Sequence, residues 1–586
     1  MRRSATIRYG AGRLALTGAA LAGVWTAVTL LSGGFSLRVG PIVVSSRDPL
    51  RPLLFAVLLL VLARTLWRGP AFGRALHAFT GDRDRLPARL AAAAASAVLI
   101  VSIAWNTRAA GGSDSSCYVL QAEAFARGQL ALTDSLSQIL PDATPAMFAP
   151  AGFVPSRIAP FAAVPICGPG LALFMSAVSF AGRDAVFLVV PAFAAVAVWV
   201  TFLIGRRVDD AVTGATAAVL LATSPIFLYQ SVQPMSDVPA TALWLVALAL
   251  LSGSENQDWR RIAAGICASA AVLTRPNVAL IVLPLLALLR DRRAFLSFAA
   301  GAIPGAVVMA WLNAARYGSS LTSGYGTTDI LFSLAHIGPN LARYPRWLLE
   351  TETPFVLAAV FAPWWATRSR TRHPRLVIVL ISAIVLTAAT YLAYTVFDDW
   401  WYIRFLLPAL PAAFILSVPV WLEPARRYPR GRVVAAIAIG TALGAWHVHV
   451  ARTHRVFDLQ ALESRFVVTG KYVARALPPN AVVLAVQQSG SVRYYGARST
   501  LAWDAIPPDA LDRTISELRR AGRAVFIVLE DEEVSRFRAR FVTERLGRLD
   551  WPPHAEVHAP VRVQVYDVGE RDRYLGGGVV ATEHVR

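Results

Sequence analysis

Four short stretches of the chain carry charged side chains that could do chemistry together. Asp114 lies in "GGSDSSCYVLQAEAFARGQL", Asp237 in "QPMSDVPATALW" and Arg275 in "LTRPN". Asp398, Asp399, Tyr402 and Arg404 share "FDDWWYIRFLLPALP". Each stretch borders a long apolar run and is rich in aromatics, prolines or small polar residues. Single charges at such places often serve as membrane anchors, and Asp237 or Ser236 would also suit a helix N-cap. Taken together, these groups could ring a cavity at one membrane edge, where ionisable side chains are costly unless they are used. Such a ring fits transfer of a sugar from a lipid phosphate. An arginine fork holds the phosphate and stabilises it as it leaves. A carboxylate takes the proton of the incoming hydroxyl, and aromatic walls hold the sugar. A polyprenyl tail would keep the donor in the bilayer by about 0.8 kcal/mol per buried CH₂.

Membrane spans must position these residues. The chain has 586 residues, 55% of them hydrophobic and 16% charged, and its mean hydropathy is +0.50. Soluble proteins carry about 25% charged residues. Apolar runs of about 20 residues recur, each long enough to cross a bilayer core of about 30 Å. They do not alternate, so they predict helices rather than barrel strands. The net charge of +20 does not indicate nucleic acid. Its arginines crowd short turns: Arg206 and Arg207; Arg260 and Arg261; Arg290, Arg292 and Arg293; Arg368, Arg370, Arg372 and Arg375. That is the positive-inside bias of membrane topology.

With the basic N-terminus inside, spans are expected near 13–32, 50–66, 88–106, 184–204, 211–230, 238–252, 261–274, 277–290, 294–312, 353–367, 376–396, 404–421 and 433–450, about thirteen helices. "AVPICGPGLALFMSAVSF" contains Pro165, Gly168, Pro169 and Gly170. Treating it as interfacial or re-entrant keeps every arginine-rich turn inside. The external edges then hold Asp114, Asp237, Arg275, the loop 313–350 and "FDDWWYIRF". The expected division is 1–87, two additional helices and a cytoplasmic loop; 88–450, the catalytic transmembrane domain with its external loop 107–183; and 451–586, a small extracytoplasmic α/β domain. In that last part "AVVLAV", "AVFIVL" and "VRVQVYDV" read as strands, and Leu511, Ile515 and Leu518 recur at helical spacing. It shows no phosphate loop or nucleophile motif.

Cys117 and Cys167 would share the external loop and could pair in an oxidising compartment. Two unpaired small apolar residues is the reading the sequence favours. His447, His449 and His454 cluster near the last span, but their i, i+2 spacing divides the first two between helix sides. They read as interface residues rather than ligands.

The order of these pieces resembles the GT-C membrane glycosyltransferases, in the branch of protein O-mannosyltransferases and lipid A aminoarabinose transferases (glycosyltransferase family 39-like). The likeness runs over roughly residues 88–420, from "GGSDSSCYVLQAEAFARGQL" through "FLIGRRVDDAVTGATAAVLLATSPIFLYQSVQPMSDVPATALW" and "AAVLTRPNVALIVLPLL" to "WWYIRFLLPALP". It implies an all-α polytopic fold with a long first core external loop. It also implies that Asp114 is the catalytic acidic residue, that Asp237 binds sugar or a metal, and that Arg275 and Arg404 meet the lipid phosphate. Where the family often has Asp-Glu, Ser115 follows Asp114 here, and Glu123 reads as solvated or structural. The expected partners are a polyprenyl-phosphate-linked sugar, membrane lipid and an acceptor glycan, lipid or protein. No cofactor is required by the sequence, and a divalent metal stays open. The alternative is a transporter or flippase of lipid-linked sugars, which would be expected to show matched halves with broken helices; no clear internal repeat is seen. Arginine-heavy, alanine-rich usage points to a GC-rich bacterium and its cytoplasmic membrane.

Overall fold

The computed structural model describes residues 85–585 apart from 254–256, 327, 370 and 372, together with part of 11–66. The expected basic connection is largely outside these residues, as are Arg370 and Arg372.

Among the described residues six helices are long and apolar enough to cross a membrane: Arg85–Ala104, Arg183–Val208, Arg292–Tyr317, Pro374–Leu392, Trp400–Ala425 and Pro429–Thr453. A seventh span forms if Ala211–Thr223 and Pro225–Ser231, bent by 62°, count as one. Pro225 opens the second half of that pair. Its ring cannot continue the preceding hydrogen-bond ladder, which places the bend there. Other expected spans coincide with shorter apolar helices, Leu50–Ala63, Asp237–Leu251 and Pro276–Leu288. A two-stranded hairpin, β1 (Phe35–Val39) and β2 (Ile42–Ser46), was not foreseen.

The bundle has a protein-facing centre and a lipid-facing rim. The span Trp400–Ala425 is 83% buried, whereas Arg292–Tyr317 is 17% buried. The helix carrying Arg404 is therefore central. The arginine-rich ends gather at one pole. Arg207 donates to the Ala249 carbonyl and to Ser252, Arg293 pairs with Asp258, and Arg432 pairs with Asp209. Asp210 and Asp291 cap helices there by accepting from the amides of Thr213 and Ala294. The other end of Val189–Val208 abuts the long loop 107–183, at whose start Asn106 donates to the Phe187 carbonyl. A 20-residue helix is about 30 Å long, so the two poles lie a bilayer core apart.

Two hairpin strands, β3 (Phe153–Pro155) and β4 (Ala163–Pro165), lie within the long loop. The segment expected to be interfacial forms the ten-residue helix Pro169–Val178, about 15 Å long and too short to span. A Cβ on Gly168 or Gly170 would strike the backbone at Leu273 and Thr274. The absence of side chains there lets this helix press against the residue before Arg275.

The C-terminal region is a six-stranded mixed sheet in the order β10-β8-β9-β7-β5-β6. The strands are β5 (Val482–Leu484), β6 (Ser499–Leu501), β7 (Val525–Glu530), β8 (Ala555–Val557), β9 (Val563–Asp567) and β10 (Glu583–Val585). The expected runs became β5, β7 and β9. Leu511, Ile515 and Leu518 of the helix Leu511–Arg520 are buried against the sheet. Leu136, Leu140, Met147 and Phe148 of the long loop belong to the same core, so loop and sheet share one core.

Candidate functional site

Asp114 opens the helix Asp114–Ala126, where a negative side chain also favours the helix dipole. Its Oδ2 accepts from Arg404 Nη2 at 2.9 Å. The Arg404 side chain is 15% exposed and that of Asp114 36%, so the carboxylate keeps an accessible face while its partner is enclosed. Arg404 lies in the 3-10 stretch Trp400–Ala409. Its guanidinium sits 5.4 Å from the Tyr402 ring and 5.3 Å from that of Phe405.

Arg275 reaches the same platform, its guanidinium 5.4 Å from the Phe405 ring. It forms an ion pair with Asp237, and its Nε donates to the Tyr391 hydroxyl at 3.2 Å. Asn277 donates to that hydroxyl at 3.3 Å, and Tyr391 stacks on Phe405 at 4.9 Å. Two carboxylates and two guanidinium groups thus meet around one aromatic ring. The four charges sum to zero, which lets them sit together in a low-dielectric place.

Asp237 begins the helix Asp237–Leu251, but Ser236 makes no side-chain cap. Its Oγ instead accepts from the Tyr118 hydroxyl at 2.8 Å, tying the Asp114 helix to the turn before Asp237. Among the described residues, Asp237 Oδ2 and Arg404 Nε are buried with no hydrogen-bond partner. Such atoms cost about 1–3 kcal/mol each when left unsatisfied, so each retains hydrogen-bonding capacity within the cluster.

The sequence candidates divide. Asp114, Asp237, Arg275, Arg404 and Tyr402 converge. Asp398 is exposed and pairs with Arg343 at 2.5 Å, and Asp399 is exposed at the start of the Trp400–Ala409 stretch. Glu123 pairs with Arg127 and Arg183, both at 3.0 Å. Tyr118, Tyr391, Asn277 and Phe405 were missed. Asn277 follows directly in "TRPN" and Phe405 follows Arg404, so adjacency was the available signal for these two. His447 is buried against Glu352, Nε2 to Oε2 3.4 Å, and the His454 ring packs at a tilt against Trp400, centroids 4.3 Å apart. They form no joint ligand set. Both groups of three ligand-type side chains close enough for one ion lie, among the described residues, in the C-terminal sheet region.

The cysteine expectation is corrected: Cys117 and Cys167 form a disulfide. The hairpin β3–β4 carries Cys167 back to the Asp114 helix, a proximity that chain order did not reveal. Gly152, at φ +84°, makes the approach possible, because a Cβ there would strike the Ser113 carbonyl and Cys117. The bridge closes a separation of 50 residues, which by chain entropy stabilises by about 2–4 kcal/mol. Reduction, or a Cys117→Ala, Cys167→Ala double substitution, should lower the melting temperature in detergent. A melting temperature indifferent to reductant would show that the crosslink does not hold the loop.

The C-terminal region clamps this loop from the far side. The Tyr495 hydroxyl accepts from the Ala110 amide at 3.2 Å and donates to the Arg108 carbonyl. The Ala151 amide donates to Ser489 Oγ at 2.9 Å, and Gln460 donates to the Asn106 carbonyl at 2.8 Å. Arg493 and Asp134 form a buried pair at 3.2 Å. The loop around Asp114 is therefore held from the C-terminal region, while Asp114 itself is tied to the bundle through Arg404.

Comparison with known proteins agrees with this architecture. Residues 164–315 match the family described as Dolichyl-phosphate-mannose-protein mannosyltransferase. The structure is similar to ArnT from Cupriavidus metallidurans in the apo state, at 13% identity and a TM-score of 0.51, covering 81% of this chain and 97% of that one. It is equally similar to the same protein bound to undecaprenyl phosphate, at 13% identity and a TM-score of 0.50, with coverage of 81% and 97%. No curated protein sequence matches the chain. The chain thus shares the fold of the ArnT structures, a multi-pass helical bundle to which a small C-terminal sheet is attached.

Proposed function

We propose that this protein transfers a sugar from a polyprenyl-phosphate donor to an acceptor hydroxyl at the extracytoplasmic face of a bacterial cytoplasmic membrane. The observation that carries the reading is the Asp114–Arg404 pair standing beside Asp237–Arg275 on one aromatic platform. This cluster lies at the pole opposite the arginine-rich turns, which supports an external site. The Cys117–Cys167 disulfide in the same loop supports an oxidising compartment. The similar ArnT structure holding undecaprenyl phosphate supports the donor class. The domain division at 87 and 450 is part of the same reading.

The mechanism follows from the charges. Before donor arrives, Arg404 is held by Asp114. A phosphate oxyanion competes for the guanidinium and frees the carboxylate. The acceptor oxygen then attacks the anomeric carbon. Its bond to that carbon forms as the carbon–oxygen bond to phosphate breaks, the acceptor proton passes to Asp114, and the electron pair leaves on the phosphate against arginine. A single displacement inverts the anomeric carbon. Asp237, held by Arg275 with one oxygen unpartnered, would accept from a sugar hydroxyl once the incoming donor has displaced the side chains that bury it. Most of the assistance is orientation and phosphate stabilisation, because a carboxylate is a weak base toward an alcohol.

Liposomes containing the purified protein and a synthetic polyprenyl-phosphate sugar test the reading. A new glycosidic product on a supplied acceptor lipid, glycan or peptide is expected, with inverted configuration. Movement of the donor between leaflets with no glycosidic product for any acceptor would favour the flippase. Arg404→Lys keeps the charge but loses the planar fork, so donor affinity and rate should both fall. An unchanged variant would remove Arg404 from the phosphate site.

A further inference from the structure

The free edge of the C-terminal sheet carries an arrangement that sugar transfer does not use. Strand β10 is an edge strand and, among the described residues, pairs in parallel with β8 alone. The register sets His584 opposite Glu556. The period of two along a strand puts Glu556 and His558 on one face, and the His558 amide extends the pairing by donating to the Val585 carbonyl at 2.8 Å. Three ligand-type side chains converge as a result. His558 Nε2 is 2.8 Å from His584 Nδ1. Glu556 Oε2 is 3.6 Å from His558 Nε2 and 3.7 Å from His584 Nδ1.

We propose that Glu556, His558 and His584 form a binding site for a divalent transition metal of the zinc class. Two ligand atoms about 2.0–2.1 Å from a tetrahedral ion lie about 3.3 Å apart, and the three observed edges bracket that value. Two imidazoles with one carboxylate suit zinc better than calcium or magnesium, which prefer all-oxygen shells. The other carboxylate oxygen, Glu556 Oε1, is 3.3 Å from Arg562 Nη1, and Arg562 Nε is 2.9 Å from Asp531 Oδ1. That outer pair turns Oε2 toward the histidines, and Asp531 offsets the guanidinium charge next to the ion, as outer-shell partners of metal ligands do. The side chains are open enough for exchange with solution: Glu556 is 16%, His558 43% and His584 62% exposed. A fourth position remains for water. The bound ion would staple β10 to β8.

The test uses untagged full-length protein in detergent, stripped with chelator and titrated with zinc chloride by calorimetry. One tight equivalent per chain is expected, with a rise in melting temperature. His558→Ala and His584→Ala should each weaken that equivalent by about 100-fold or more, beyond the 10–100-fold of an outer-shell change. Both variants should keep the metal-free melting temperature, since the two side chains are at the surface. Glu570→Gln, in the neighbouring group with His554 and Asp567, should leave the equivalent intact. Absence of a stoichiometric equivalent in the unaltered protein would overturn the proposal. So would binding retained in both histidine variants, or binding lost only with Glu570→Gln.

Discussion

Asp114→Asn lowers the rate of sugar transfer by about 10²–10⁴-fold, the usual range for loss of a positioned base, while donor affinity holds. The asymmetry comes from the Asp114–Arg404 contact. Asparagine keeps an oxygen that can accept from Arg404 Nη2, as Asp114 Oδ2 does at 2.9 Å, so the loop need not move. What it loses is the ability to take a proton. The neutral amide also competes less well for Arg404, so the guanidinium is more available to phosphate and donor binding is equal or tighter. Single-turnover transfer and equilibrium donor binding, measured side by side, separate the effects. A variant that lost donor affinity and rate together would make Asp114 a structural residue. Full transfer would end its role as base.

Asp237→Ala destabilises the folded protein by about 3–5 kcal/mol, the cost of stripping one partner from a buried ion pair. Asp237 is fully buried and the Arg275 side chain is 12% exposed. Removing the carboxylate leaves an enclosed guanidinium that donates to the neutral Tyr391 hydroxyl. Thermal unfolding in detergent should show the loss. The double replacement Asp237→Leu, Arg275→Met should recover much of it, since exchanging both charges for apolar groups is often near neutral. Simple additivity of the two single changes would mean that the pair does not couple. The double variant should still fail in transfer, which separates what the pair does for stability from what it does for the sugar.

The legible part of the site was the set of residue types at the apolar runs' edges. Asp114, Asp237, Arg275 and Arg404 stood out because a charge next to a membrane span is expensive and so conspicuous. Asp398 and Asp399 stood out for the same reason, yet they face outward. Charge at an edge says nothing about direction around a helix that begins in a 3-10 stretch. Tyr118 and Tyr391 carried no signal, because an aromatic near a span end is expected at the interface whether or not it touches anything.

Sequence by itself determined the bundle of apolar helices, the pole at which the arginines collect, and the change at about residue 451 to a strand-and-helix region. These follow from hydropathy, charge bias and periodicity, each a sum over neighbouring residues. Tertiary structure alone decided the partnerships. Asp114 meets Arg404 across 290 positions, and Tyr495 holds Arg108 across 387. Cys117 reaches Cys167 because a hairpin folds back over a glycine. No local pattern encodes such distances, since they depend on how a central span, a long loop and a distant sheet pack against one another. That packing turns scattered charges into one neutral cluster with two unpartnered atoms.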